Sequence, residues 1–542
     1  MQTWNFPFSV RNYRWALALA PGMFGLFALA QAAAPSSAAP VAATSATDSL
    51  PAAPNYDYLN PPQGLFDDQW MEIFMSGQKI GYGHQTYRRE GDHIIAEEHD
   101  EFRLKRLSNV VNMSEDSTSE ETLDGLILSF HNVSNQGGQP TIVDGHGDGK
   151  TFDITTKTGD YAPKAQHVEF PPGTLMAWGG ERLSRSKGLA AGTTFEFLAY
   201  GPSEDAFAPL PTKITVGEKE KLTIHGQELE AARVTEHTVS KSGFGGIDTI
   251  EWVGANFRSL KVTVPLGPMS MDMVVASKSQ AMADYLPSDI FSASLLSLDR
   301  SLPANATEVD FILRRADGQP LPPLPESAME HGEALPDGSV RLALKRPDLA
   351  RKASAAQPGP QLQEAAPFLA RNAYLDTSDP LLQKLAEQAG GPPQTEPQTA
   401  AFQLRDFVAD YINKKDYNVG FGTASETAKS REGDCTEHAV LLAALGRIRG
   451  LPTRTVSGLV YVPHYQGQDN ILGFHMWTQF YFNGHWEDFD AALTYGKEPY
   501  WRLGLVASDL NEGSMSDFTM EMARWMSELK ITVSEVSLPA GK

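Results

Sequence analysis

Three residues in the last quarter of the chain have the types and the order of a nucleophilic catalyst. Cys435 is the only cysteine among the 542 residues, and it directly follows the pair Gly433-Asp434. His475 comes 40 positions later, and Asp490 comes 15 positions after that histidine. A thiol, an imidazole and a carboxylate can serve as nucleophile, base and orienting group. We therefore place the predicted function of the chain at Cys435.

The thiol is predicted to lie at the start of a helix. Gly433 and Asp434 are suited to a sharp turn and a helix N-cap, and residues 439–449 have a strongly helical composition with apolar residues on one face. The N-terminus of a helix places partial positive charge beside a side chain and can lower a cysteine pKa substantially from about 8.5. We therefore expect Cys435 to be a reactive thiol in the first helical turn.

The base and the orienting group are predicted on the two strands of a hairpin. Residues 474–482 and 485–490 both alternate as strands do, and Asn483-Gly484 between them is typical of a tight turn. Around that turn, residues whose numbers add up to 967 face one another. This register places Asp490 close to His475, so the sequence predicts an imidazole–carboxylate contact across the two strands.

These residues resemble the transglutaminase-like superfamily, which belongs with the papain-type thiol enzymes. Five blocks carry the resemblance in order and with compatible spacing: Gly433-Asp434-Cys435, Ala439-x-x-Leu442-x-x-Leu445, Gly450-Leu451-Pro452-Thr453-Arg454, His475-x-Trp477 and Gly484-x-Trp486-x-x-x-Asp490. The resemblance implies that Cys435 is the nucleophile, that His475 is the base and acid, and that Asp490 orients the histidine. It also implies a papain-like α+β domain over residues 366–542.

Two positions depart from the pattern of the family. Gln479 stands where an acidic residue often follows the tryptophan by two positions. Asp490-Ala491-Ala492 replaces the frequent Asp-Pro-Thr. Neither change removes an atom of the predicted triad, and both leave the identity of the substrate open.

Other residues near the triad offer competing roles. His438 lies three positions after the thiol, but a Cys-His metal site would need further ligands that the sequence does not cluster there. Asp488 shares a strand face with Asp490 and competes with it as the orienting group, although the spacing in the family favours Asp490. His464 and His485 have no evident partner. We predict neither a metal nor a cofactor.

The beginning of the chain has the pattern of an export signal. Arg11 and Arg14 are the only charged side chains in the first 46 residues, and an apolar run with a small-residue end follows them. Residues 1–32 are therefore predicted to be a signal peptide, with an uncleaved membrane anchor as the alternative. Residues 33–55, rich in Ala and Pro, are predicted to be a linker. We therefore expect the protein to be exported, to the periplasm or beyond the cell.

Three further segments complete the predicted organisation. Residues 56–292 contain alternating runs broken by Gly, Asn and Asp, with no long helical pattern between them, which predicts an antiparallel β-rich domain. Residues 293–365 contain two strand patterns and a short linker, and two strands need a neighbour to be stable. Residues 366–542 form the transglutaminase-like domain. The predicted fold class is α+β: a β-rich domain, a small β unit and a papain-like domain.

The charge of the chain limits its partners. The formal net charge is −22, so nucleic acid and anionic membrane surfaces would be repelled. Apart from the N-terminal run, no segment is long and apolar enough to span a bilayer. A single thiol in an exported protein is inert, bridged to another chain or reactive, and the surroundings of Cys435 favour the reactive interpretation. The sequence does not indicate an oligomeric state.

The predicted reaction is acyl transfer or hydrolysis at a peptide or carboxamide bond. The thiol would form a thioester, which water or an amine would then resolve, and the substrate would be a protein, a peptide or a cell-envelope amide. The backbone N–H of Cys435 is one expected oxyanion donor, and Tyr417 is a candidate for the second. The alternative is a non-enzymatic periplasmic binding or scaffold protein that contains a transglutaminase-like domain.

Overall fold

A computed structural model describes most of the chain. The described residues are 50–106, 109–135, 140–159, 162–203, 205–239, 246–266, 269–285, 287–289, 295–316, 318, 320–346, 366–392, 395–414, 422–465, 467–482, 484–493, 501–510 and 529–539. They fall into two compact units, which comprise the described residues up to 289 and those from 295 onward. The predicted signal peptide 1–32, most of the linker 33–55, residues 347–365 and Tyr417 lie outside the described residues. The export signal and the five-part division therefore stay predictions.

The first unit consists mainly of long strands. Its strands are β1 (Gly64–Met75), β2 (Gln78–Glu90), β3 (His93–Arg106), β4 (Asn109–Thr122), β5 (Ile127–Asn135), β6 (Thr141–Gly147), β7 (Thr151–Thr158), β8 (Lys164–Glu169), β9 (Thr174–Leu175), β10 (Thr194–Ala199), β11 (Leu210–Ile224), β12 (Gln227–Val239), β13 (Gly246–Val253), β14 (Ser259–Leu266), β15 (Met269–Ala276) and β16 (Ser288–Asp289). The helices are α1 (Ala177–Lys187) and the single turn α2 (Lys278–Ala281), with a 3₁₀ turn at Ala255–Phe257.

These strands form one continuous sheet. Its order is β8-β7-β6-β5-β4-β3-β2-β1-β15-β14-β13-β12-β11-β10-β9, with β16 beside β3. Among the described strand pairs of this sheet, only β9–β10 and β3–β16 are parallel. Alternate residues of the strands are buried, as period-2 patterns require when one face of a sheet is covered. The predicted antiparallel β-rich fold is confirmed.

Helix α1 is the longest helix of this unit among the described residues, and the sequence did not predict it. The backbone N–H groups of Trp178 and Gly179 donate to the two carboxylate oxygens of Glu121, each at 2.8 Å. Trp178 is fully buried and packs near Tyr87. The first turn contains two glycines, which are poor helix formers, so local pattern gives no helical signal. The sequence shows no long helical pattern here because a carboxylate 57 residues away caps the helix.

The second unit combines helices with two sheets. Its strands are β17 (Leu296–Ser297), β18 (Glu308–Arg315), β19 (Glu330–Ala334), β20 (Val340–Lys345), β21 (Thr453–Tyr465), β22 (Gln468–Phe482), β23 (His485–Phe489), β24 (Arg502–Ser508) and β25 (Leu529–Ser537). Its helices are α3 (Pro380–Ala389), α4 (Pro397–Tyr411), α5 (Ala424–Ser430) and α6 (Cys435–Ile448). The predicted helix and strands around the thiol are therefore present.

Helix α6 is the core element of this unit. All of its residues from Cys435 to Arg447 are buried. It packs on the sheet of order β17-β22-β21-β24, where β23 pairs with β22. The Thr478 hydroxyl of β22 donates to the Ala439 carbonyl of α6 at 2.9 Å, and the Phe480 ring lies over Gly446, where a Cβ would collide with it. The helix that begins with the thiol therefore rests on the strand that carries His475.

The small β unit has the neighbour that its two predicted strands require. Strands β19, β20 and β18 form a sheet, and β18 pairs antiparallel with β25 near the end of the chain. Val309, Phe311 and Leu313 of β18 are fully buried. Since β18 and β25 are more than 200 positions apart, this pairing joins two segments that are distant in the sequence. Among the described residues, no helix has the length and apolar content that crossing a bilayer demands.

Candidate functional site

The start of helix α6 is fixed by a reciprocal cap. Asp434 accepts from the backbone N–H of Thr436 at 2.7 Å and, as the N-cap of a capping box, from that of Glu437. The Glu437 carboxylate in turn accepts from the Asp434 N–H at 3.0 Å. Gly433 has a φ of +149°, and a Cβ there would overlap the Glu437 side chain. The Gly-Asp pair therefore forms the sharp turn and the cap that the sequence predicts.

Cys435 is the first residue of the helix and is 1% exposed. The Asp434 side chain accepts from the N–H groups of Thr436 and Glu437, one and two positions after the thiol. The positive end of the helix dipole therefore lies beside the thiol. This is the environment in which a thiolate is stabilised.

His475 and Asp490 are in direct contact. Strands β22 and β23 pair so that Thr478 faces Phe489 and Gln479 faces Asp488, which is the register predicted from the sequence. His475 Nε2 lies 2.7 Å from Asp490 Oδ2, and both side chains are buried. A carboxylate only accepts, so the Nε2–H of His475 donates to it. This bond leaves Nδ1 as the second ring nitrogen, and Nδ1 is buried without a hydrogen-bond partner among the described residues.

Asp490 is held as an anion. Burial alone would raise its pKa, but the positive charges of His475 and Arg502, with hydrogen bonds from His475 and the Leu493 N–H, lower the pKa well below the ordinary value. Arg502 Nε donates to Asp490 Oδ2 at 2.8 Å, and the N–H groups of Ala492 and Leu493 each donate to Oδ1 at 2.9 Å. The carboxylate can therefore orient His475 and stabilise its protonated form.

Asp488, the competing carboxylate, has other partners. Its Oδ1 accepts from Trp477 Nε1 at 2.5 Å and from Gln479 Nε2 at 2.8 Å. Its Oδ2 accepts from the Ser327 hydroxyl at 3.0 Å. Of the two carboxylates, Asp490 is the one that contacts His475.

Gln479 links Asp488 to the segment before β19. Its side-chain oxygen accepts from Arg454 Nε at 2.7 Å, and Arg454 also donates to the Glu326 carbonyl at 3.0 Å. Burial lowers the pKa of Arg454 to about 10, although Asp488 and Glu330 oppose that change. The amide that replaces the family's acidic residue therefore bridges an arginine and Asp488.

The three other histidines considered near the triad, His438, His464 and His485, have structural partners. His438 Nδ1 lies 2.5 Å from the Asp434 carbonyl, one turn back along α6. His464 lies 2.6 Å from Asp469, and His485 lies 3.1 Å from Glu487. The expectation that His464 and His485 lack partners was wrong, because each has a carboxylate within the same hairpin. Within the described part of the chain, no group of three or more His, Cys, Asp or Glu side chains could hold a metal.

Arg502 is the site residue that sequence reasoning missed. It begins β24, which pairs with β21 and not with the histidine strand. Its guanidinium is buried against Asp490, 12 positions away. No local motif marks it, since an arginine at a strand start is ordinary in composition. Only the order of strands in the sheet shows that Arg502 joins His475 as a second positively charged partner of Asp490.

Comparison with known proteins identifies the class of this domain. Residues 383–491 match the Transglutaminase-like superfamily. A transglutaminase-like domain therefore occupies this part of the chain, and the resemblance of its five sequence blocks is confirmed. A search of the curated proteins returns no match.

Three solved structures are similar to the chain at low identity. A beta-barrel-like protein of a domain of unknown function from Brucella abortus is 13% identical with a TM-score of 0.30, over 39% of this chain and 95% of that chain. A candidate cysteine protease from Cytophaga hutchinsonii is 14% identical with a TM-score of 0.26, over 44% and 89%. A candidate protease from Parabacteroides distasonis is 13% identical with a TM-score of 0.18, over 69% and 68%.

Proposed function

We propose that the protein is an exported thiol enzyme that cleaves or transfers acyl groups at peptide or carboxamide bonds. Cys435 is the nucleophile, His475 the base and acid, and Asp490 the orienting carboxylate. The observation that carries this proposal is the 2.7 Å contact between His475 Nε2 and a buried, doubly charge-paired Asp490, which leaves Nδ1 to act on a proton. A buried histidine with only a structural role would normally have both ring nitrogens hydrogen-bonded. A buried ring nitrogen without a partner among the described residues therefore favours a catalytic role.

The first half of the reaction forms a thioester. His475 Nδ1 accepts the proton of the Cys435 thiol, and the thiolate sulfur attacks the carbonyl carbon of the substrate. The carbonyl oxygen becomes an oxyanion, for which the Cys435 backbone N–H at the start of α6 is one donor. The C–N bond then breaks, Nδ1–H protonates the departing amine, and the acyl group remains on sulfur. Asp490 stabilises the imidazolium between these steps.

The second half releases the acyl group. His475 Nδ1 takes a proton from an incoming water or amine, which attacks the thioester carbon. The C–S bond breaks and the thiolate leaves, so the product is a free acid with water and a new amide with an amine. The same three side chains support both outcomes, and we propose hydrolysis as the principal one. The substrate class is a peptide or a cell-envelope amide, in keeping with the proposed export.

A glutaminyl peptide separates the two outcomes and tests the proposal. The full chain is incubated with the peptide, with and without a labelled primary amine. We expect release of ammonia without the amine and little incorporation of label, and both should vanish in Cys435→Ala. Incorporation that exceeds hydrolysis would establish transfer as the main reaction. Envelope-derived peptides with free carboxamides serve as further substrates.

Two histidines provide a matched pair of variants. His475 and His464 each lie within 2.7 Å of an aspartate, but the first pair is buried and the second is exposed. We expect His475→Gln to abolish turnover and His464→Gln to keep it. If Cys435→Ala retains the cellular role of the protein and no amide is turned over, the domain is a binding scaffold and the enzyme proposal fails.

A further inference from the structure

The buried face of the first unit contains two adjacent rows of polar residues. Across strands β2 to β5, Gln85 faces Glu98, Glu98 faces Ser117, and Ser117 faces Asn132. In the next row, successive residues also face one another across these strands: Gly83, Asp100, Glu115 and Ser134. The rows on either side include Tyr87, Phe102 and other apolar residues. Such a band costs free energy in a sheet interior unless it meets a polar partner.

The band contains oxygen atoms that lack a partner. Gln85, Glu115 and Asn132 are at most 5% exposed. Their atoms Gln85 Oε1, Glu115 Oε2 and Asn132 Oδ1 have no hydrogen-bond partner among the described residues. All three residues line one cavity of about 40 Å³. Buried acceptors are nearly always satisfied in native structures, so three around one cavity indicate a missing donor.

The internal contacts of the band fix these oxygens in place. Asn132 Nδ2 donates to Glu115 Oε1 at 2.5 Å, which directs the other oxygen of each side chain elsewhere. Burial raises the pKa of Glu115 to about 7, although the Asn132 hydrogen bond opposes this. Burial and then the charges of Glu98, Glu115 and Asp116 raise the pKa of Asp100 well above its ordinary value. Burial therefore disfavours the ionised form of each of these carboxyl groups, and a bound cation would offset that cost.

The walls of the cavity limit the ligand further. Ala96, Met176 and Ala177 line it beside the polar oxygens. A cavity of about 40 Å³ holds a few water-sized groups, because one water molecule needs roughly 10–15 Å³ of cavity. A fitting ligand therefore has a small head with N–H donors and a short apolar stem.

We propose that this cavity binds a small primary amine as its ammonium ion. An ammonium has three N–H donors and no acceptor, which matches three buried oxygens and one carboxylate charge. An anion would be repelled, and a neutral alcohol has one donor for three acceptors. Calcium takes six to eight oxygen ligands, more than these side chains offer. The apolar wall formed by Ala96 and Met176 would contact the alkyl stem.

Calorimetric titration of the full chain tests this site with two cations of equal charge. Butylammonium has three N–H donors and tetramethylammonium has none. We expect saturable binding of butylammonium and none of tetramethylammonium. Equal binding of both, binding of neither, or binding of calcium in place of butylammonium would overturn the proposal.

Variants locate the binding on the sheet. Glu115→Gln removes the charge, and we expect it to weaken butylammonium binding by at least about tenfold, the effect of a lost charged hydrogen bond. Glu120→Gln makes the same change on the opposite face of β4, where Glu120 pairs with His93, and should leave the affinity unchanged. If Glu115→Gln does not fold, Gln85→Leu decides by the same criterion. Unchanged affinity in the folded cavity variant refutes the site.

Discussion

Asp488 and Asp490 are two residues apart, yet their partners give them different roles. Asp490 contacts His475, Arg502 and two backbone N–H groups, so its charge is fully compensated. Asp488 accepts from Trp477, Gln479 and Ser327, which belong to structural contacts around the hairpin. The first carboxylate acts on the imidazole, whereas the second holds segments together.

Replacement of Asp490 by asparagine should therefore reduce catalysis. Asp490→Asn keeps the shape but removes the charge that stabilises protonated His475 and favours its tautomer. We expect kcat to fall by about 10⁴-fold, the size of effect known for such a change in a triad. Steady-state hydrolysis of the glutaminyl peptide measures it.

Asp488→Asn is the matched control. It alters three hydrogen bonds without touching His475, so we expect a lower thermal midpoint but a kcat within about tenfold of the parent. A larger kcat loss in Asp488→Asn than in Asp490→Asn would reverse the two roles.

At the scale of elements, the capping box of α6 fixes the first turn of the helix and thereby positions the Cys435 thiol. Asp434→Ala removes the acceptor for the N–H groups of Thr436 and Glu437. We expect a loss of about 1 kcal/mol in stability and a slower acylation of Cys435, because the helix start loses its fixed geometry. Chemical denaturation and pre-steady-state acylation measure these effects.

Asp379→Ala provides the same change at another helix. Asp379 caps α3 by accepting from Leu381 and Leu382 at 2.7 and 3.3 Å. We expect a similar loss of stability with an unchanged acylation rate. Equal slowing in both variants would show that general destabilisation, and not the position of the thiol, sets the rate.

The elements that the sequence predicted are those with local signals. The sequences of α6 and of the β22–β23 hairpin show apolar periods, a capping residue and the dipeptide Asn-Gly between the strands. The hairpin register follows from counting around that dipeptide. Helix α1 depends on Glu121, and Asp490 depends on Arg502, both through contacts that no sequence period encodes. Partners distant along the chain were therefore the part that could not be predicted.

For the whole molecule, buried acids in the first unit link stability to pH. Burial raises the pKa values of both Glu115 and Glu121 to about 7, against hydrogen bonds that lower them. The folded state then holds protons between about pH 4.5 and 7 that the unfolded chain has released. The unfolding free energy should therefore fall as pH rises through this range, by about 1.4 kcal/mol per pH unit for each extra proton.

Hydrogen exchange of peptides from β4 measures this dependence within the first unit. We expect the free energy of opening to decrease from pH 5 to pH 7. The double variant Glu115→Gln and Glu121→Gln should show a shallower slope. A free energy that rises with pH in the parent would contradict the raised pKa values.

The central claim is that Cys435 is an activated nucleophile paired with His475. Because the chain has one cysteine, the mass gained with iodoacetamide reports this thiol alone. We expect alkylation of the full chain to reach half its maximal rate at least about one unit below pH 8.5, the midpoint of a free cysteine. We also expect His475→Gln to move this midpoint upward. A midpoint near pH 8.5 in both proteins would contradict the claim.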